Sequence, residues 1–167
     1  CGGCGFQRYN LRLAIPLQPL PSIQAAAPNT LPVKAAVDKT GCTLETTPMR
    51  MLVLGVSSLF SRRILPALAG VAGIDRLELS SRRGEACRAG LSFPLPVDRV
   101  FADHSSALLE SEASLVYIST ENDLHERLVE EALCAGRHVV VDKPAALSAD
   151  ASLRLLDLAV GRGCCLA

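Results

Sequence analysis

Three short runs of wholly apolar residues, and a fourth segment carrying Leu77 and Leu79, constrain the fold of this chain more than any other feature. The runs are Met51-Leu52-Val53-Leu54, Leu115-Val116-Tyr117-Ile118 and Val139-Val140-Val141. A strand with one wet face alternates apolar and polar residues, so a run without alternation is buried on both faces. Such strands alternating with helical patterns predict a parallel sheet covered on both sides, a doubly wound α/β fold. Strands are expected near 50–55, 75–80, 98–101, 114–119 and 138–142. The clearest helix is expected from Asn122, read as its N-cap, through Asp123 and Glu126 to Gly136 as its stop. Leu124, Leu128, Ala132 and Ala135 would share one face, and Arg127 would pair with Glu131 at i, i+4.

Residues 1–48 are different in kind. They hold Pro16, Pro19, Pro21, Pro28, Pro32 and Pro48 with no sustained apolar period, and are read as an irregular leader. Residues 49–167 are read as one domain, since 167 residues are too few for two full α/β domains. A 49% hydrophobic composition supports a packed core. Seventeen Lys and Arg balance 17 Asp and Glu, so neither nucleic acid nor a membrane surface is expected as a partner. The longest nearly apolar stretch, Ile64 to Ile74, is broken by Pro66, Gly70 and Gly73 and falls short of the roughly 20 residues of a membrane span. Seven cysteines without an apolar secretory signal fit reduced thiols in a cytoplasm. Cys1-Gly2-Gly3-Cys4 has metal-ligand spacing, but there is no second pair and His104, His125 and His138 lie far downstream, so no metal is expected.

The chemistry concentrates at the ends of the expected strands. The first opens into Gly55-Val56-Ser57-Ser58-Leu59-Phe60, where a dinucleotide-binding turn would bring backbone N–H groups and a helix N-terminus to a pyrophosphate. Of the G-x-G-x-x-G fingerprint only Gly55 is kept; Ser57 and Phe60 stand at the second and third glycine positions. Phe60 is expected either to push the following helix off the sheet or to fill a gap there, and Pro66 to kink or end that helix. A plain strand-to-helix turn without ligand is the competing reading. About 20 residues on, where an NAD site wants Asp or Glu for the ribose, the chain has Ser80-Ser81-Arg82-Arg83. A hydroxyl and two guanidinium groups suit a 2′-phosphate, hence an NADP preference with NAD as the other candidate. The alternative is that Ser81 caps a helix and the arginines face water. Lys143 is the one lysine of residues 49–167, beside twelve arginines. An ammonium can pass a proton where a guanidinium cannot, although a lysine there could simply be solvated.

Val116 to His125, and Ala132 through Asp142-Lys143-Pro144, resemble the N-terminal domain of the Gfo/Idh/MocA oxidoreductases. The likeness extends over about residues 51 to 163. It implies a Rossmann domain holding NAD or NADP, and hydride transfer at a carbinol or carbonyl carbon of a sugar, cyclitol or related small molecule. Carried over by position, Gly55, Ser57, Ser58 and Phe60 form the phosphate turn, and Ser81, Arg82 and Arg83 meet the adenosine ribose. Thr120, Asn122 and His125 approach the nicotinamide side. The family's Glu-Lys-Pro signature falls on Asp142, Lys143 and Pro144, with Lys143 the catalytic candidate. Glu121 departs from a position that is often proline, Asp142 shortens an acid, and the turn has lost two glycines.

Family members continue into a second α/β domain that shapes the substrate pocket. The chain is therefore expected to be a cofactor-binding half with little or no turnover of its own, and to self-associate through the face such a domain would cover. A non-catalytic NAD(P)-binding sensor or interaction module is the alternative, and a domain that binds no nucleotide is a third reading.

Overall fold

The computed structural model describes residues 48–167; the leader and the Cys1/Cys4 pair lie outside the described residues, save for Pro48. Five strands form one parallel sheet: β1 Met49–Leu54, β2 Ile74–Ser80, β3 Val97–Phe101, β4 Leu115–Ile118 and β5 His138–Val141. They run in the order β3-β2-β1-β4-β5. All five expected strands are present, each within a residue or two of its predicted bounds.

Burial on both faces explains why the runs are wholly apolar. Leu52 and Leu54 of β1 face one layer with Val116, Ile118 and Val139, while Met51 and Val53 face the other with Leu77, Leu79 and Tyr117. The first layer is closed by α2 His104–Glu110, α3 Asn122–Cys134 and α4 Ala149–Arg162. The second has thinner cover. The chain after β1 passes through a π turn, Phe60–Ile64, one α turn, Leu65–Ala67 (α1), and a 3-10 turn, Leu68–Gly70. Pro66 lacks the N–H that would continue a regular ladder, and the backbone here breaks into these three pieces, as expected of it. Phe60 does not push this segment away: it is fully buried among Met51, Val53, Leu65 and Leu68, its ring centroid 5.7 Å from that of Tyr117.

Helix α3 corrects two expectations. Glu121, not Asn122, is the N-cap, with extended backbone and no capping bond from its side chain; Asn122 is the first helical residue. The buried stripe is His125, Leu128, Val129, Ala132 and Leu133, whereas Ala135 is the exposed C-cap, because the chain reverses at once through Gly136 at φ +74°. Arg127 does pair with Glu131, at 2.6 Å. Asp103 caps α2 by accepting from Ser106 N–H, and Ser148 caps α4 from Ala151 N–H. Residues 165–167 run parallel to β5, the N–H of Val139 donating to Cys165 and that of Val141 to Ala167. Among the described residues no helix is long and apolar enough to cross a membrane, and no cluster of three metal-ligating side chains occurs.

Candidate functional site

The sheet order reverses at β1, which has β2 on one side and β4 on the other. Beyond the carboxyl ends of these strands the crossovers diverge and leave a crevice. A cleft of about 360 Å³ occupies that place, lined by Gly55, Val56, Ser57, Ser81, Arg82, Arg83, His104, Ser119, Thr120 and Glu121.

Gly55 forms the floor. Its N–H donates to Ser80 O at 2.8 Å and its φ is +86°. A Cβ there would stand 2.4 Å from the carbonyl oxygen of Ser119, so only glycine lets the turn cross β4 this closely. Ser57 replaces a second glycine without closing the cleft, because its hydroxyl turns into the protein. The Ser57 oxygen accepts from Phe60 N–H at 3.0 Å and lies 2.5 Å from Ser119 Oγ. Ser119 in turn donates to Asp142 Oδ2 at 2.5 Å, and the Tyr117 phenol donates to Asp142 Oδ1 at the same distance. Burial, then this bond to Asp142, push the Tyr117 phenol well above its ordinary pKa. One unbroken chain of hydrogen bonds thus joins the turn after β1 to the segment after β5.

On the β2 side, Ser81 is buried and Arg82 and Arg83 are exposed at the rim. Ser81 caps no helix: its hydroxyl only accepts a 3.3 Å bond from Arg83 N–H, and the 3-10 turn Gly84–Arg88 begins after Arg83 without a side-chain cap. Arg82 forms an ion pair with Glu121 on the β4 side. His104, in the first turn of α2, is buried beneath the arginines with Nδ1 2.8 Å from Ser80 Oγ. Burial holds its imidazole below the ordinary histidine range, against the opposing pull of Asp103 and Glu121.

The expected residues therefore divide. Gly55, Ser57, Ser81, Arg82, Arg83 and Thr120 line the cleft together. Ser58 is exposed beside it, Phe60 has its side chain in the core, and Asn122 is exposed at the start of α3. His125 is only 1% exposed and faces the protein: its Nδ1 lies 2.8 Å from Pro144 O and its Nε2 3.1 Å from Thr120 O, so it ties the loops after β4 and β5 together. Asp142 is half-buried behind Ser119, and Lys143 and Pro144 are exposed at the end of β5, joined by a cis peptide bond. His104 escaped the sequence reading. A signal was present, since Asp103, a favoured N-cap residue, follows β3 and marks a helix start with His104 in its first turn.

A parallel sheet with this order and a polar cleft at its switch point defines a dinucleotide-binding doubly wound domain. The close-packed glycine turn leaves room for the backbone to approach a dinucleotide's pyrophosphate. The chain belongs to the Gfo/Idh/MocA oxidoreductase family, described as an NAD-binding Rossmann fold, whose sequence profile matches residues 49–167. Among curated relatives it is 35% identical over 128 residues to dTDP-3,4-didehydro-2,6-dideoxy-alpha-D-glucose 3-reductase of Streptomyces violaceoruber, covering 76% of this chain and 36% of that protein. It is 23% identical over 115 residues to inositol 2-dehydrogenase of Klebsiella pneumoniae, covering 69% and 34%. A 3-ketoreductase from Actinomadura kijaniata, solved with NADP and TDP-benzene, superimposes with a TM-score of 0.61 at 30% identity, over 72% of this chain and 36% of that one. The chain spans about a third of the length of the curated relatives it matches.

Proposed function

We propose that residues 49–167 are the nucleotide-binding half of an NADP-preferring oxidoreductase that acts at a carbinol or carbonyl carbon of a sugar, cyclitol or related small molecule. The observation that carries the reading is the sequence Ser81-Arg82-Arg83 at the end of β2, lining the same cleft as the Gly55 turn with no acid at the end of β2. A guanidinium grips a phosphate through two parallel hydrogen bonds, whereas the acid expected for an unphosphorylated ribose would repel it. The relatives' names support a sugar or cyclitol carbon.

When bound, the dinucleotide supplies or takes up a hydride. The residues of this chain bind and orient it. Gly55 allows the backbone to approach the pyrophosphate, and Ser57 keeps its side chain out of the way. Arg82 and Arg83 hold the adenosine phosphate, and Thr120 stands toward the nicotinamide. Asp142, fixed by two hydroxyl donors, and His125, bonded to Pro144 O, set the position of the exposed Lys143, whose Nζ holds or passes the proton that accompanies hydride transfer. Residues 49–167 by themselves turn over slowly at best, because a substrate pocket that excludes water supplies much of the rate. This reading is preferred over a non-catalytic sensor by the lysine at the end of β5 and by catalytic relatives. Self-association belongs to the same proposal, and a clean monomer in sedimentation velocity overturns that part of it.

The test is fluorescence titration of the chain with NADPH and NADH, repeated with Arg82→Ala. Tighter NADPH binding that is lost in the variant is the expected result. Equal binding of both overturns the preference, and binding of neither overturns the reading.

A further inference from the structure

We infer that Glu121 biases the choice between the two cofactors, by holding Arg82 across the mouth of the cleft and competing with a 2′-phosphate for its guanidinium. The inference rests on the dinucleotide reading of the cleft and adds a residue that tunes it.

Arg82 follows β2 and Glu121 precedes α3 beyond β4, so the two flank the Gly55 turn from opposite sides. The strands they follow are two strand spacings apart, roughly 9–10 Å, so an arginine and a glutamate there meet by reaching toward each other over the cleft. They do so: the pair is formed, and both residues line the cleft. Glu121 also has another use for its carboxylate, since at the N-cap of α3 it could accept from the orphan N–H groups of the first turn. It makes no such bond. The carboxylate is turned to Arg82 instead.

The consequences for two ligands differ. A 2′-phosphate brings two negative charges and a bidentate set of oxygens to Arg82, so it must displace Glu121 from that guanidinium before it is gripped. A ribose 2′-hydroxyl carries no charge and leaves the ion pair in place. Glu121 therefore weakens phosphorylated ligands and spares the others. Both partners are well exposed, with side chains 75% and 54% accessible, so the competition is modest and falls with added salt.

Adenosine 2′,5′-bisphosphate and AMP isolate the 2′-phosphate, and NADPH and NADH repeat the comparison in the complete cofactor. In Glu121→Gln, binding of the bisphosphate and of NADPH is expected to tighten about three- to fivefold, while AMP and NADH change by less than about twofold. In the Arg82→Ala background the same substitution is expected to have no effect on the phosphorylated ligands. Glu121→Ala gives the same pattern, and since the side chain caps nothing, neither variant endangers folding. Equal shifts for both ligand pairs, no shift, or a shift that persists without Arg82 overturns the selector while leaving the dinucleotide reading intact. Failure of the wild-type chain to bind any of the four overturns both.

Discussion

Ser57 donates its hydroxyl hydrogen to Ser119 across 2.5 Å, because Ser119 spends its own on Asp142. The residue standing where a dinucleotide turn has its second glycine thus shows no hydroxyl hydrogen to the cleft. It is the first member of a relay that fixes Asp142, and through the backbone Lys143, relative to the turn after β1. A phosphate bound at that turn meets backbone N–H groups, as at a glycine.

Breaking this relay in its middle is expected to be expensive. Ser119→Ala removes one of the two donors to Asp142 and leaves the Ser57 hydroxyl without its acceptor. A loss of about 1–3 kcal/mol in urea unfolding is expected, with weaker nucleotide binding. A variant as stable as wild type would mean that water replaces the missing hydroxyl.

Gly55→Ala is expected to be worse. The residue keeps φ at +86°, and the added Cβ would meet the Ser119 carbonyl oxygen at 2.4 Å and its carbon at 2.9 Å. Backbone atoms cannot rotate away as a side chain can. A loss of about 3 kcal/mol or more, with nucleotide binding abolished, is the expected outcome of paired urea and fluorescence titrations.

His104 gives stability a pH dependence of its own. Its folded pKa is held below the model-peptide value of 6.5 by burial, so below that pH the unfolded chain takes up a proton that the folded chain resists. Stability from this group is complete above about 6.5 and is lost as pH falls toward the folded value. Asp103, whose carboxylate is favoured by Ser106 N–H, acts only lower, below the ordinary carboxylate range. Urea midpoints between pH 7.5 and 5 are expected to fall for wild type and to flatten in His104→Asn. Parallel profiles would refute the assignment.

Arg137 is buried where its Nη2 donates to Leu108 O at 2.7 Å and Ser111 O at 2.6 Å, closing the end of α2. Glu78, 2% exposed on β2, supports its charge, and Oε2 of the acid and Nη1 of the arginine lack hydrogen-bond partners among the described residues. Arg137→Met is expected to destabilise by about 3 kcal/mol, since it strands both carbonyls and an acid. Arg137→Met combined with Glu78→Leu is expected to recover part of that loss. No recovery in the double variant would show that the two charges do not interact.

The sheet was legible because parallel strands buried on both faces admit few polar residues, and Leu52, Val116 and Val139 announce themselves. Gly55, Ser81, Arg82 and Thr120 were legible because a crossover fold puts strand ends together whatever its details. Packing was harder to read. Whether Phe60 would push or fill depended on Tyr117, 57 positions later, whose ring leaves the space that Phe60 occupies. The cap at Glu121 was likewise hidden, because its side chain makes no capping bond and is turned to Arg82, a residue distant in the sequence. His104 was missed although Asp103, a favoured N-cap residue, marks the helix start that brings it into the cleft with the arginines.

The carboxylate-bound phenol of Tyr117 gives the site an optical probe, read beside the emission of Tyr9, the chain's other tyrosine. The chain has no tryptophan, and Tyr117 is the one tyrosine among the described residues. A phenol becomes a far stronger acid in its excited state, so a neighbouring carboxylate at 2.5 Å takes its proton and darkens its emission. Loosening of Asp142 should therefore brighten tyrosine fluorescence, while nicotinamide emission is read against a background free of indole.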